Sequence, residues 1–137
     1  KMVQIGQRTT GYSADDFEWV RQQGVRVVNA EECWYQSLTP LMAEVREQIG
    51  AETPVYLSFD IDGIDPAFAP GTGTPEPGGL TNTQAIEIIR GCWGLNLVGS
   101  DLVEVSPQYD TTGNTALLAA NLVFEMLCSF PGCLRRD

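Results

Sequence analysis

The spacing of apolar positions along the chain changes several times, and each change marks an element. Val55, Leu57, Phe59 and Ile61 alternate with Tyr56, Ser58, Asp60 and Asp62. That is the period-two rhythm of a strand, whose successive side chains face opposite ways, and it predicts a strand over 54–61. Short apolar runs over 2–6 and 25–30, the latter enriched in β-branched residues, predict two more. The run over 95–103 is almost continuously apolar, as in a strand covered on both faces. Between these runs the spacing is helical. Ser13 is placed to cap a helix over 14–23, with Asp15, Asp16 and Glu18 in its first turns, where the helix dipole favours anions. Phe17 and Val20 are its apolar pair and Gly24 its stop. Leu41, Met42, Val45 and Ile49 stripe a helix over 38–49, with Pro40 in its first turn and Gly50 at its end. Ala85, Ile86, Ile89 and Cys92 do the same over 82–93. A last helix, capped by Asn114 or Thr115, runs to Ser129; Asn121 and Glu125 interrupt it and it is too short for a bilayer, so it reads as a core helix. Residues 7–12, 31–35 and 104–113 read as loops.

Strands that alternate with helices form a parallel sheet with helices packed on it, so the expected class is α/β, a three-layer α-β-α arrangement. Ligands of such sheets bind beyond the carboxyl ends of the strands, here the loops starting at Gln7, Glu31, Asp62 and Glu104. No repeat, low-complexity tract or second domain interrupts the pattern. The 137 residues are 43% hydrophobic and 19% charged, enough for one core. A net charge of -10 and a pI near 4.2 argue against a nucleic-acid or anionic-membrane partner and suit a cationic ligand or a metal. Cys33, Cys92, Cys128 and Cys133 form no close pair in sequence and read as reduced, mostly buried thiols. Histidine is absent, so no histidine serves here as base or ligand.

Asp60, Asp62 and Asp65 stand where the third strand runs out. Strand alternation places Asp60 and Asp62 on one side, and two neighbouring acids at a buried strand end call for a cation. The motif alone leaves several readings open. A calcium loop needs an acid at its twelfth position, which is Gly71 here. An aspartate-nucleophile phosphotransferase needs a hydroxyl where Ile64 stands. Acids that only cap a turn and bind water fit as well.

The residues that follow narrow the choice. Ser58-Phe-Asp-Ile-Asp-Gly-Ile-Asp-Pro66, then Pro70-Gly-Thr-Gly-Thr-Pro75 and Gly78-Gly79, resemble the signature of the ureohydrolases, the arginase and agmatinase family. Val3-Gln-Ile-Gly6 with Arg8, Ala30-Glu-Glu-Cys-Trp34 and Asp101-Leu-Val-Glu-Val-Ser-Pro107 carry the same resemblance. Gly113-Asn-Thr-Ala-Leu-Leu-Ala-Ala-Asn121 is similar to the agmatinase and guanidino-acid hydrolase branch. The resemblance implies an arginase-like fold in which 1–137 is the C-terminal part of a single ureohydrolase domain, the upstream portion lying outside it. It implies a site of two manganese ions that hydrolyses a guanidinium group to urea and an amine. Asp60 and Asp62 would ligate metal, Glu104 would bind the guanidinium group, and Thr74 would either orient a ligand or the substrate or hydrogen-bond its own turn. The chemistry agrees: a guanidinium carbon is a poor electrophile, and hard cations held by carboxylates turn bound water into hydroxide. A carboxylate such as Glu104 pairs with guanidinium N–H groups through charge-assisted bonds. The implied partners are a small cationic guanidino substrate and, at full length, further copies of the protein. The implied compartment is cytoplasmic, or mitochondrial if a leader precedes this segment. Asp65 reads as a loop stabiliser and Asp101 as a buried acid supporting the ligands. Trp19, Trp34 and Trp93 read as packing residues, and Glu31 and Glu32 as solvated loop acids.

The chain also departs from that family. Its other metal ligands lie in Gly-Gly-Asp-His and Asp-Ala-His-x-Asp motifs, and neither occurs here; no catalytic acid or base is assigned. Gln7 and Thr9 stand in place of Ile and Gly, Pro77 in place of an aliphatic residue, and Gln108 in place of a proline. The expectation is therefore a chain that is inactive alone and holds manganese weakly. A non-catalytic module that keeps the fold, and a metal-dependent phosphotransferase built on Asp60 and Asp62, remain as alternatives.

Overall fold

Two βαβ crossovers organise the computed structural model, which describes residues 1–8 and 13–133. In chain order the elements are β1 (Val3–Gln7), α1 (Ala14–Gln22), β2 (Arg26–Asn29), α2 (Ala30–Cys33), α3 (Thr39–Ile49), β3 (Pro54–Asp60), α4 (Asn82–Gly91), β4 (Asn96–Val103) and α5 (Asn114–Ser129). Single 3-10 turns follow β3 at Ile61–Gly63 and β4 at Pro107–Tyr109. The loop predicted over 7–12 falls largely outside the described residues, as does Thr9.

Both ladders are parallel, as the alternation of strands and helices predicts. β1 pairs with β2 from Val3 opposite Arg26 to Gln7 opposite Asn29, with an irregularity at Gly6. β3 pairs with β4 from Pro54 opposite Asn96 to Asp60 opposite Val103; the register slips between Val55 and Tyr56, leaving Val98 as the extra residue. Among the described residues no ladder joins β1 to β3.

The inward strand residues fall into two apolar clusters. Val3, Ile5, Val28, Val55, Leu57 and Leu97 pack with Met42 and Val45 of α3 and with Ile88 and Cys92 at the end of α4. Phe59 and Leu102 pack with Ala85 and Ile89 of α4 and with Ala119, Leu122 and Met126 of α5. α3 and α4 approach closely because Gly91 has no side chain; a Cβ there would collide with Cβ and Cγ of Met42. No described side chain of α1 joins either cluster, and its Phe17 and Trp19 are exposed. The α/β class thus stands, with α3, α4 and α5 packed on one face of the strands. None of the described helices is long and apolar enough to cross a membrane.

Several local expectations change. Residues 30–33 form a helical turn and not a loop, because the Asn29 N–H donates to Glu32 Oε1 at 2.8 Å, half of a capping box; Glu32 is therefore a capping residue. α5 is not capped by Asn114 or Thr115: the Asp110 carboxylate accepts from the N–H groups of Thr115 at 3.1 Å and Ala116 at 2.8 Å. α4 meets its expectation at the start, with Thr81 Oγ1 accepting from the Gln84 N–H at 3.2 Å, but stops at Gly91. Only Cys33 and Cys92 are buried thiols, whereas Cys128 and Cys133 are exposed. Burial pushes Cys92 up to about 11 and also raises Cys33, aided by Glu32.

Candidate functional site

β3 delivers Asp60 as its last residue, and the chain then tightens into the 3-10 turn, with Ile61 fully buried beneath it. Asp60 Oδ1 accepts from the Asp62 N–H at 3.1 Å. The strand therefore ends before Asp62, and the alternation argument does not place that residue. The turn does: the Asp62 side chain lies near enough to act on Asp60 both by charge and by hydrogen bonding. Thr74 Oγ1 donates to Asp62 Oδ2 at 2.7 Å, so its hydroxyl serves the carboxylate and not its own turn.

The loop between Asp65 and Leu80 is stitched at its base. The Asp65 N–H donates to the Leu80 carbonyl at 2.9 Å, and the Leu80 N–H to the Gly63 carbonyl at 3.0 Å. Asp65 Oδ1 accepts from Ala67 at 2.9 Å, and Oδ2 from the N–H groups of Gly78 at 2.7 Å and Gly79 at 3.2 Å. These bonds, led by the one from Ala67, hold the Asp65 carboxyl below its usual range. Asp65 is thus a loop stabiliser, as its sequence context suggests. Gly79 is required by close approach, since a Cβ there would sit 2.5 Å from the Asp65 nitrogen.

Further ties position this loop. Arg8, just past β1, donates to the Asp62 carbonyl at 2.5 Å and to the Glu76 carbonyl at 2.7 and 2.9 Å. Trp34 Nε1 donates to the Gly78 carbonyl at 2.9 Å while the residue stays 45% exposed, so Trp34 is a surface strap and not a core residue. Thr72 Oγ1 donates to the Glu104 carbonyl at 2.9 Å, and the Ser106 N–H to the Gly71 carbonyl at 2.8 Å. Nothing in the spacing of the sequence marks the Trp34 or Thr72 contacts.

Glu104 follows β4 with φ of 66°, a left-handed conformation uncommon for a residue with a side chain. Its charge reaches Asp60 across the strand ends. Asp60 retains solvent contact as a residue, yet its carboxyl is raised to about 6. Desolvation is the largest cause; the charges of Asp62 and Glu104 add to it, and the Asp62 N–H opposes it. The structure therefore brings together Asp60, Asp62, Thr74 and Glu104, the four site residues named from sequence.

What this cluster suits is a hard cation, because its charged groups are carboxylates crowded together. Among the described residues, however, no group of three or more His, Cys, Asp and Glu is arranged to hold a metal ion. The donors fit part of a cation site. Of two open clefts, of about 610 and 700 Å³, neither is lined by Asp60, Asp62 or Glu104, and the second borders the same loop at Asp65, Gly78 and Gly79. On the adjoining strand face the Tyr56 hydroxyl donates to Asp101 Oδ2 at 2.9 Å, and Asp101 Oδ1 is buried with no partner among the described residues.

The profile of the Arginase family matches residues 1–128. Guanidinobutyrase of Pseudomonas aeruginosa is 72% identical over 136 residues, which is 99% of this chain and 42% of that protein. The mitochondrial guanidino acid hydrolase of Homo sapiens is 64% identical over 131 residues, 96% of this chain and 37% of that protein. Among solved structures, proclavaminate amidino hydrolase from Streptomyces clavuligerus superposes with a TM-score of 0.87 at 44% identity, covering 94% of this chain and 42% of that one. Arginase from Bacillus caldovelox gives 0.81 at 30% identity, covering 90% and 42%. The chain thus spans about two fifths of the length of the curated relatives it matches.

Proposed function

The chain belongs to the arginase family, and from that membership we propose that it carries part of a ureohydrolase site that cleaves a linear guanidino compound to urea and an amine. The observation that carries this reading is the convergence of Asp60, Asp62 and Glu104 beyond β3 and β4, with the Asp60 carboxyl raised to about 6 by its surroundings. In this reading Asp60 and Asp62 are two ligands of a manganese centre whose other ligands come from outside the chain. Bound manganese would supply the Lewis acidity that makes hydroxide from water near neutral pH. Thr74 fixes the orientation of the Asp62 carboxylate through its 2.7 Å bond. Arg8 holds the carbonyls of Asp62 and Glu76, which keeps the turn and the Gly/Pro loop in place. Glu104 offers a carboxylate to guanidinium N–H groups, and the acidic surroundings draw in a cationic substrate.

The relatives' names include guanidinobutyrase, guanidino acid hydrolase and agmatinase, so the substrate class proposed is a guanidino acid or agmatine. The chain is proposed to be the C-terminal part of its domain and to form homo-oligomers at full length, in the cytoplasm or the mitochondrion. The reading is tested by joining the unmatched part of the Pseudomonas guanidinobutyrase ahead of this chain and measuring urea release from guanidinobutyrate, guanidinopropionate and agmatine. Urea release from one of them is expected. Glu104→Gln should lower kcat/KM by roughly 100-fold, as removal of a charge-assisted hydrogen bond to the reacting group does. No urea from any of the three, or full activity in Glu104→Gln, overturns it.

A further inference from the structure

β4 runs into a break of alternation at Glu104. Leu102 and Val105 both pack against the cluster formed with α4 and α5. They stand an odd number of residues apart, whereas a strand puts only even spacings on one face. Carried on unbroken, β4 would turn Glu104 to the core side with Leu102, and Val105 away from it. The phase changes at Glu104 itself, through its φ of 66°. Val105 thereby turns inward while Glu104 stays exposed, with its charge reaching Asp60. A residue with a side chain keeps a left-handed backbone only where its surroundings impose it.

Those surroundings are the Gly/Pro loop. Thr72 forms a single antiparallel bridge with Val105, and the Ser106 N–H donates to the Gly71 carbonyl at 2.8 Å. Thr72 is 2% exposed, and its hydroxyl donates to the Glu104 carbonyl at 2.9 Å. Threonines in Gly/Pro loops commonly bond their own turn; this one bonds a left-handed glutamate in another loop. The Gly/Pro loop is in turn fixed on the start of α5. Thr115 Oγ1, fully buried, accepts from the Gly71 N–H at 2.9 Å, and a Cβ on Gly71 would lie 2.5 Å from Asp110 Cβ. A chain of contacts therefore runs from the buried start of α5 through Gly71 and Thr72 to the backbone of Glu104.

We propose that Thr72 is a positioning residue. Its hydroxyl holds Glu104 in the left-handed conformation that keeps the carboxylate out of the core and beside the other strand-end acids, and Thr115 anchors it through Gly71. Without that bond residue 104 relaxes toward extended backbone, and the carboxylate leaves the place where a guanidinium group would meet it. Thr72 acts only through Glu104. The proposal rests on the reading of Glu104 as the carboxylate that takes the guanidinium group.

The test is a double-mutant cycle on urea release by the joined protein described above. Thr72→Val removes the hydroxyl and nearly keeps the shape; it should lower kcat/KM by about tenfold. Thr72→Ser keeps the hydroxyl and should stay within about threefold of the wild type. In a Glu104→Gln background Thr72→Val should cost less than about twofold, because the group it positions is already gone; a merely structural loss would be the same in both backgrounds. Thr115→Val should show the same non-additivity with a smaller loss, and it replaces Thr72→Val throughout if that variant does not fold. A second arm needs no substrate: the backbone carbon chemical shifts of residue 104 in this chain report its φ. They should read left-handed in the wild type and in Thr72→Ser, and extended in Thr72→Val. Equal losses in the two backgrounds, Thr72→Ser as impaired as Thr72→Val, or a left-handed residue 104 in Thr72→Val would each overturn the proposal. Full urea release by Glu104→Gln, beside loss of the left-handed φ in Thr72→Val, would overturn the functional reading and leave Thr72 as the residue that sets the conformation of Glu104.

Discussion

With Asp62 and Glu104 close by and water partly stripped away, the Asp60 carboxyl titrates at about 6 in place of the ordinary value near 4. A carboxyl raised by folding disfavours the native state when ionised. Its penalty is therefore full above about pH 6 and is relieved as the pH falls toward the unfolded value. Asp60→Asn should raise the Tm of the metal-free chain near neutral pH by a few degrees in calorimetry and remove any gain in Tm on adding manganese; an unchanged manganese response would contradict the ligand role. Asp110 works with the opposite sign. The N–H groups of Ala116, then Thr115, hold its carboxyl below the usual range, so its contribution is present above about pH 4 and is lost as the pH falls through the lowered value. Asp110→Asn should lower Tm by about 4 °C near neutral pH and by less in acid, where the wild type has lost the same bonds. The acids at 60, 62, 65 and 104 and the threonine at 74 are legible in the motif. The partner of Tyr56 is not, because a slip of register between Val55 and Tyr56 sets that ring over Gly99, and register depends on the neighbouring strand.

At the scale of elements, period and punctuation locate every long helix and all four strands. Ends are less legible, since they depend on particular side-chain bonds. Residues 30–33 turn helical through Asn29 and Glu32, a spacing that is a signal but is hidden by the loop-like acids beside it. Cys128 and Cys133 are exposed because α5 presents its outer side there and the chain then turns at Pro131 and Gly132. Helix packing makes its own demand at Gly91, where no side chain separates α4 from Met42. Gly91→Ala should destabilise the chain by about 1–3 kcal/mol, the usual cost of overpacking, read as a lower denaturant midpoint with an unchanged slope. A midpoint equal to that of the wild type would mean that α3 moves aside freely.

For the whole molecule, the α/β class and the parallel direction of the strands follow from the order of elements alone. The bare face of β3 and β4 does not, because an almost continuously apolar strand looks the same in sequence whether its second cover lies in the same chain or in another. The chain by itself should release no urea and should bind manganese more weakly than the joined protein, by titration calorimetry or by the manganese resonance signal. Full urea release from the isolated chain would show that its own residues complete the site.

Among the described residues the two strand pairs have no rung in common, although one apolar cluster runs beneath both. One pair ends at the acids and the other leads to Arg8. Its guanidinium, through bonds to two carbonyls across the divide, works as a latch. Losing that grip would free the turn that carries Asp62 while leaving the shared core packed.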